Sequence, residues 1–406
     1  MRHCTPLLSR PLATITTAAL VSAVLAACGG ASTDTTSTPT PAPAPAPTPI
    51  PPGPITVSFT SPVAANNVHD VNASIPLQVT VTINGNPAAN GTAVTLTTNP
   101  STTSLAPVAP TTTGGAATSV LKSTATGPVV VNATATSNTN AANESLKLYI
   151  RPAHEALQLL VPAYFAAGKD SQWDAMLAGA KSYPDVKITA IANPHGGSLT
   201  STTTANTDIA TAITNFTNSN RKVVGYVSTL YGNGKYSEAD VKATVDKYLE
   251  LYPTLGGFYL DDMASSTNRY SYYNAIYTYI KSKNPALVVV GNPGTFPDAS
   301  FADVANVLVT YEGSATAYQA LDPQQSSNTW VYNKANTAQA MLAHTADTCT
   351  AMQDAIKYAD RARTNTGVIY ATDLTTTRSG ATLPTYWTKL LGTVDALNAG
   401  RSLPPC

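Results

Sequence analysis

Charged side chains are scarce in this chain: they make up 11% of its 406 residues, and the 23 basic residues equal the 23 acidic ones. A nucleic-acid-binding surface needs a concentration of lysine and arginine, which this balance does not provide. We therefore predict no nucleic-acid partner. The length and the 43% hydrophobic content are sufficient for two or three domains with a large buried core.

Motifs of cofactor and metal sites are also missing. No Gly-x-Gly-x-x-Gly follows the first candidate strand and no phosphate-binding loop occurs, which argues against a nucleotide cofactor. Neither His-x-His nor His-Glu-x-x-His is present, so the sequence predicts no metal. One metal alternative stays open, a convergence of His195, His344, Asp261 and Glu312.

The N-terminus has the pattern of an export signal. Arg2 and Arg10 precede an apolar segment over 12–27, which is too short and too interrupted for a membrane span. The segment ends in Leu-Ala-Ala-Cys and resembles a bacterial lipobox, which implies a lipoprotein signal at 1–27 and a lipid anchor at Cys28. An ordinary signal peptide with an incidental cysteine is the alternative.

The residues after the lipobox bear on location and on the remaining cysteines. Gly29 and Gly30 follow Cys28 in place of an acidic residue, and by resemblance to lipoprotein sorting this favours the outer membrane or cell surface of a bacterial envelope. Cys349 and Cys406 are then the two cysteines left, and in an oxidising compartment we expect them to form a disulfide.

Two segments precede the main domain. Residues 28–54 are rich in Pro, Thr and Ala and predict an extended linker. Residues 55–150 contain short runs of alternating apolar and polar residues, broken by Asn-Gly and Gly-Gly turns, which predict an antiparallel β-sandwich. The stretch around Asn90-Gly91-Thr92 resembles bacterial immunoglobulin-like domains, and we expect a spacer or weak binding module there.

Residues 155–406 alternate between short apolar runs and longer helical stretches. Eight such units predict an α/β fold, a (β/α)₈ barrel, with a doubly wound open sheet as the alternative. The predicted strands are 157–161, 186–192, 222–227, 257–260, 287–291, 306–309, 338–343 and 367–371. The clearest predicted helices are 170–182, 205–219, 237–251 and 269–282.

Polar residues follow the predicted strands at the positions that face the mouth of a barrel. The fourth strand ends in Asp261 and Asp262, and the sixth leads to Glu312. Carboxylates, amides and tyrosines in this arrangement are typical of proteins that bind and cleave sugars. The expected substrate contacts are Tyr164, Asn193, His195, Tyr226, Asn292, Tyr311 and Asp373.

Structural roles remain as alternatives for these contacts. The two asparagines precede prolines, where an Asx turn explains them equally well. The tyrosines also suit barrel packing, and Asp373 suits a helix cap.

The strand-end motifs resemble the spherulin-4, or spherulation-specific, family over about residues 156 to 395. The resemblance lies in Leu159–Tyr164, Asn193-Pro194, Gly257–Asp262, Tyr311-Glu312-Gly313, Tyr370–Leu374 and Leu383–Trp387. It implies a (β/α)₈ barrel and an endo-acting hydrolase of galactosamine-containing polysaccharide, such as the α-1,4-linked galactosaminogalactan. The family motif after the fourth strand is commonly Asp-Glu, so this chain departs at Asp262, which is one methylene shorter.

Adjacent residues of an ideal strand point to opposite faces, so only one of Asp261 and Asp262 is expected to face the mouth. We expect Asp261 to act as nucleophile or transition-state stabiliser, Glu312 as general acid/base, and Asp262 to orient its neighbour. A substrate N-acetyl group acting as its own nucleophile stays open. So does a different function, a cell-surface polysaccharide-binding or coat protein without turnover.

Overall fold

The computed structural model describes residues 53–406 except 102, 138, 139, 219 and 379. The predicted signal peptide, the lipid-anchor residue Cys28 and nearly all of the predicted linker lie outside this range. Within it, no helix combines the length and apolar character that a bilayer span requires.

The N-terminal part consists of two β-sheets. Five strands form one sheet in the order β1-β3-β7-β6 with β4 paired to β3, and four form the other in the order β2-β9-β8-β5. Every pairing is antiparallel except β2 with β9. The strands are β1 Ile55–Ser61, β2 Val68–Asp70, β3 Ile75–Ile83, β4 Asn86–Pro87, β5 Val94–Asn99, β6 Ser104–Ala106, β7 Ala116–Lys122, β8 Gly127–Ser137 and β9 Asn140–Arg151.

Alternation along these strands builds the N-terminal core. On β3 and β5, residues such as Val79, Val81 and Leu96 are buried while their neighbours face solvent. Side chains of both sheets share the buried clusters, so the sheets pack face to face. The predicted β domain is confirmed, and its resemblance to immunoglobulin-like domains stays a prediction.

The C-terminal part is a closed barrel of eight parallel strands, β10 to β17 in chain order, with β17 pairing back to β10. This confirms the predicted (β/α)₈ class and excludes the open sheet. All eight strands were predicted, with ends displaced by a few residues. They are β10 Gln158–Ala163, β11 Ile188–Ala192, β12 Arg221–Ser228, β13 Gly257–Asp261, β14 Val288–Gly291, β15 Val307–Ser314, β16 Gln339–His344 and β17 Val368–Ala371.

Helices cover the barrel less regularly than eight ideal units require. The segment between β14 and β15 holds only a 3₁₀ turn, Ala299–Asp303, because Pro293, Gly294 and Pro297 oppose a helix there. This corrects the expectation of a helix after every strand. The helices are α1 Gln172–Ser182, α2 Thr207–Phe216, α3 Glu238–Leu251, α4 Tyr270–Lys283, α5 Ala315–Tyr318, α6 Cys349–Ala359 and α7 Trp387–Asn398.

The β-sheet domain contacts the barrel through a polar bridge and an apolar patch. Arg151 is 5% exposed, and its guanidinium donates to Asp70 Oδ1 at 2.6 Å and to Asn365 Oδ1 at 3.1 Å. Beside it the rings of Tyr149 and Tyr332 pack with centroids 5.0 Å apart. Asn365 and Tyr332 belong to loops that precede barrel strands, so the sheets attach at the amino ends of those strands.

Candidate active site

Two carboxylates lie side by side where β13 and β15 reach the carboxyl-end mouth of the barrel. Asn292, directly after β14, stands between them and donates from Nδ2 to Asp261 Oδ1 at 2.7 Å and to Glu312 Oε2 at 2.7 Å. Because both oxygens lie 2.7 Å from one nitrogen, they are separated by at most twice that distance, 5.4 Å. The acid pair expected across two strands is therefore brought together.

The amide of Asn292 bonds to the protein through both of its N–H groups and through its oxygen. Its two N–H groups are committed to the acids, and its Oδ1 accepts from Gly294 N at 3.0 Å. The residue is also buried. The predicted role of Asn292 as a direct substrate contact does not fit this geometry, which makes it a positioning residue for Asp261 and Glu312.

A β-bulge sets the direction of Glu312. The register of β15 against β16 shifts between Val309 and Tyr311, which adds one residue and reverses the alternation that follows. Tyr311 folds back onto its own strand, where its hydroxyl donates to Ser314 O at 2.7 Å and its ring packs on Tyr318 at 5.0 Å. The structure does not bring Tyr311 to the acids, and its predicted substrate contact is not supported.

Asp262 does not continue the strand. Its φ of +51° is in the left-handed region, so the alternation that predicts opposite faces for Asp261 and Asp262 ends at Asp261. Tyr231 N donates to Asp262 O at 2.6 Å, and the side chain of Tyr231 lies near the Asp262 carboxylate. The turn keeps Asp262 close enough to Asp261 and Glu312 to affect their charge.

The turn at Asp262 is held in place by Thr229, a buried residue directly after β12. Thr229 N donates to Asp261 O at 3.0 Å, and Thr229 Oγ1 lies 2.8 Å from Asp261 O and 3.0 Å from Asp262 O. The facing residues Leu230 and Tyr231 also have positive φ, +42° and +58°. Left-handed backbone of this kind clusters at functional sites because the surrounding contacts must enforce it.

The electrostatics distinguish the acids. Burial raises the pKa of Glu312, the Asn292 hydrogen bond lowers it, and the charges of Asp261 and Asp262 raise it again, with a net upward shift. Burial and then the charge of Asp261 raise the pKa of Asp262. Glu312 is surrounded by protein on most sides yet still open to solvent through the mouth. Protons are thus held on Glu312 at higher pH than on an ordinary glutamate.

Tyrosines surround the acid pair. Tyr226 donates its hydroxyl to Asp261 Oδ2 at 2.5 Å, and burial followed by the Asp261 charge raises the pKa of Tyr226, so this proton stays in place. The ring of Tyr164 meets that of Tyr226 edge to face at 5.6 Å. Tyr231 is 56% exposed, and Tyr164 is 37% exposed although its hydroxyl is buried; no other Phe, Trp or Tyr ring is exposed among the described residues.

The fold agrees with that of known proteins. A family model described as spherulation-specific family 4 (Spherulin4) matches residues 158–394, more than half of the chain. The chain belongs to this family. Spherulin-4 of Physarum polycephalum is 35% identical over 162 residues, which are 40% of this chain and 46% of that protein, so the match spans about half of the relative's length.

A solved structure has the same barrel as this spherulation-specific family 4 chain. Aspergillus clavatus Sph3, crystallised in complex with GalNAc, is 19% identical and superposes with a TM-score of 0.51. The match covers 59% of this chain and 98% of the Sph3 chain. At that identity the likeness establishes a shared fold.

Several other residues predicted for the site are engaged elsewhere in this family 4 barrel. His195 Nε2 lies 2.8 Å from the hydroxyl of the buried Tyr252, which also accepts from Asn206 N. Asp373 Oδ2 accepts from Thr385 Oγ1 at 2.6 Å, 12 residues away in the chain, which is a structural contact but not the predicted helix cap. Neither residue contacts the acid pair, and their predicted substrate contacts are not supported.

Asn193 is the exception. It is half-buried, and its Oδ1 is buried without a hydrogen-bond partner among the described residues. A buried amide oxygen is normally paired, so Asn193 keeps an acceptor that a substrate hydroxyl could satisfy. Its predicted role as a substrate contact stays a prediction.

Tyr231 is the main residue absent from the predicted substrate set. It follows β12 but belongs to a one-turn 3₁₀ segment, Leu230–Gly232, and no periodicity marks it. The buried supports Thr229 and Tyr273, whose side-chain oxygens lie 3.0 Å apart, were also not predicted. The available signal was position, because both Thr229 and Tyr231 lie just beyond a strand that ends at the mouth.

Among the described residues, no three His, Cys, Asp or Glu side chains converge as a metal site requires. His344 lies 2.8 Å from Thr345 Oγ1 through Nδ1 and 2.8 Å from Thr376 Oγ1 through Nε2.

The structure also joins Cys349 and Cys406 in a disulfide with Cα atoms 5.6 Å apart, which ties the C-terminus to the start of α6.

Proposed function

We propose that this protein is a glycoside hydrolase that cleaves a galactosamine-containing polysaccharide within the chain, by carboxylate acid/base chemistry. The observation that carries the proposal is the pair of Asp261 and Glu312, bridged by Asn292 at the mouth of the barrel. Two carboxyl groups on either side of a glycosidic bond are the usual equipment for its hydrolysis.

The two acids differ in the way that a division of labour requires. Glu312, with its raised pKa, is the general acid that protonates the leaving oxygen. Asp261 accepts from Tyr226 on one oxygen and from Asn292 on the other, which fixes its orientation as nucleophile or charge stabiliser. Asp262, which lies beside Tyr231, tunes the pair through its charge.

The spacing of the acids favours retention of configuration. Retaining glycosidases hold their carboxyl groups about 5 to 5.5 Å apart and inverting ones about 6.5 to 9.5 Å. The nearest oxygens of Asp261 and Glu312 are at most 5.4 Å apart, which is below the separation found in inverting enzymes. NMR of the first released sugar should show the same anomer as the bond that was cleaved.

A substrate-assisted reaction would also retain configuration. In that case the N-acetyl group attacks and a carboxylate orients it, a role for which Asp261 or Asp262 is suitably placed. The choice of substrate distinguishes the two mechanisms. A fully deacetylated polymer lacks the N-acetyl group, so its cleavage would indicate a nucleophile from the enzyme, and its resistance would indicate substrate assistance. Acetylated and deacetylated polymers should therefore be assayed side by side.

The substrate class rests on the mouth and on the fold it shares with Sph3. Sph3 was crystallised with GalNAc, and the resemblance of the strand-end motifs extends to hydrolases of galactosaminogalactan. The exposed rings of Tyr164 and Tyr231 flank the acids and can stack on the apolar faces of consecutive sugars. An open mouth with two such rings suits attack within a polymer.

Location at a bacterial cell surface is part of the same proposal. Lipidation at Cys28 would anchor the protein, and the Pro-rich residues 28–54 would act as a spacer. The test is incorporation of a fatty-acid analogue into the full-length chain expressed in bacteria, with Cys28→Ala as the matched variant. Equal labelling of both proteins would refute the anchor without affecting the hydrolase proposal.

The deciding experiment measures reducing ends released from galactosaminogalactan, its deacetylated forms and other bacterial exopolysaccharides. We expect a series of oligosaccharides from one of them, and loss of that release in Glu312→Gln. Binding of a polymer without any release would instead favour the alternative of a non-catalytic polysaccharide-binding or coat protein.

A further inference from the structure

A second cavity lies at the opposite end of the barrel from the acids. Its volume is about 430 Å³, enough for a sugar-sized molecule. The first residues of several strands line it, so it opens at their amino ends. We call it the floor cavity, and its strand-borne lining includes Gln158, Thr189, Lys222, Val288, Val307 and Val368.

The floor cavity is cationic. Lys187, Lys222 and Lys281 line it, and none of its lining residues is acidic, although the chain as a whole has no net charge. Neither Lys187 nor Lys222 makes a side-chain hydrogen bond or ion pair with any other residue in the described part of the chain. Two ammonium groups are therefore available to a ligand.

Lys281 belongs to the same electrostatic cluster. Its Nζ donates to Leu287 O and to Pro285 O at 3.3 Å, which holds the ammonium at the edge of the cavity. Burial and then the positive charge of Lys222 lower the pKa of Lys281. An anion placed between these lysines would relieve that repulsion.

Two glycines, Gly256 and Gly257, stand at the start of β13 at this end of the barrel. A Cβ on Gly257 would lie 2.0 Å from Val288 O, so no larger residue fits between β13 and β14. A Cβ on Gly256 would lie 3.5 Å from the Lys222 side chain, whose stem covers that position.

Neutral polar groups complete the lining. Gln158 and Thr189 make no side-chain hydrogen bond with the described residues, and Asn306 uses only its Oδ1, which accepts from Val289 N. Glu155 is not a lining residue, but its carboxylate accepts from the lining residue Thr337 at 2.6 Å, so this neighbouring acid already has a partner. Free amides and hydroxyls beside apolar valines suit the hydroxyls and ring of a sugar.

We propose that the floor cavity binds an acidic monosaccharide-sized ligand, with its phosphate or carboxylate group held by Lys187, Lys222 and Lys281. Lysine ammonium groups form charge-assisted hydrogen bonds with either group. The site lies at the other end of the barrel from Asp261 and Glu312, so the proposal does not rest on the proposed hydrolase activity.

Isothermal titration of the full chain with glucuronate, glucose 6-phosphate and neutral glucose tests the proposal. We expect one or both acidic ligands to bind, with affinity falling as salt is added, and glucose not to bind. The stronger of the two acids identifies the group that the lysines recognise. Failure of both to bind at millimolar concentration, or equal binding of glucose, would overturn the proposal.

A pair of variants locates the binding. Lys222→Gln removes one charge-assisted contact and should weaken the acidic ligand about tenfold. Lys181→Gln, an exposed lysine at the end of α1 outside the cavity lining, is the matched control and should bind normally. Unchanged affinity in a folded Lys222→Gln protein would place the binding elsewhere and refute the site.

Discussion

The two ends of the barrel carry opposite charges on the same eight strands. At the carboxyl ends stand Asp261, Asp262 and Glu312, and at the amino ends the floor cavity is lined by Lys187 and Lys222 among others. The strands between them are buried and almost wholly apolar. A chain with no net charge thus has a polarised barrel, and its chemistry lies in the residues just beyond the strand ends.

The ends also differ in how their charged groups are held. At the mouth, Asn292, Tyr226 and Thr229 fix the positions of the acids through hydrogen bonds. At the floor, Lys222 has no such partner among the described residues. A preorganised end suits catalysis, which depends on geometry, whereas an end with free ammonium groups suits recognition of an anion by charge.

The largest effect is expected from Glu312→Gln. Loss of the general acid should lower kcat by about 10³-fold on the cleaved polymer. The pKa of Glu312 is raised in the folded state, so the stability that its protonated form contributes is lost as pH rises through that pKa. The melting temperature of the glutamine variant at neutral pH should therefore be no lower than that of the unmodified protein. Reducing-end assays and thermal melts measure both quantities.

The control for this variant is Glu250→Gln, which removes a glutamate paired with Lys247 on the surface of α3. Its activity should equal that of the unmodified protein. Full hydrolysis by Glu312→Gln would remove Glu312 from the catalytic set and leave Asp262 as the candidate acid.

Asn292→Ala should lower kcat by about 10²-fold, because small displacements of catalytic groups have costs of that size. It has a second signature in the pH profile. Glu312 must be protonated to act, so activity falls as pH rises through its pKa. The Asn292 hydrogen bond lowers that pKa, so its removal should move this limb to higher pH. A lower rate with an unmoved limb would show that Asn292 only supports the fold.

Sequence reasoning predicted the barrel well because each strand is a distinct apolar run, and it found Asp261 and Glu312 because both stand at strand ends. It failed where local backbone geometry decides direction. The bulge before Glu312, the left-handed turn at Asp262 and the fold-back of Tyr311 leave no periodic trace. Asn292 was identified as a contact, but its bridging role depends on two residues that are distant in the chain.

Two substitutions of Tyr231 distinguish the contribution of its ring to substrate binding from the contribution of its hydroxyl. Tyr231→Ala removes an exposed ring and should raise KM by up to about tenfold, the usual worth of one aromatic contact. Tyr231→Phe keeps the ring but loses the hydroxyl, which opposes the upward shift of the Asp262 pKa caused by burial and Asp261. It should leave KM nearly unchanged and alter the pH profile. Equal KM values for Tyr231→Ala and the unmodified protein would exclude stacking there.

The smallest effect on hydrolysis is expected from Lys222→Gln, and it tests whether the two ends are independent. Lys222 lies at the amino end of β12, whereas Tyr226 on the same strand contacts Asp261, so the strand is the direct link between them. The ammonium of Lys222 has no hydrogen-bond partner among the described residues, so its replacement breaks no such bond and kcat/KM should stay within about twofold. The assay is run with and without glucuronate or glucose 6-phosphate, whichever of the two binds the floor cavity. If that ligand changes hydrolysis in the unmodified protein but not in Lys222→Gln, the floor regulates the mouth and their separation is wrong.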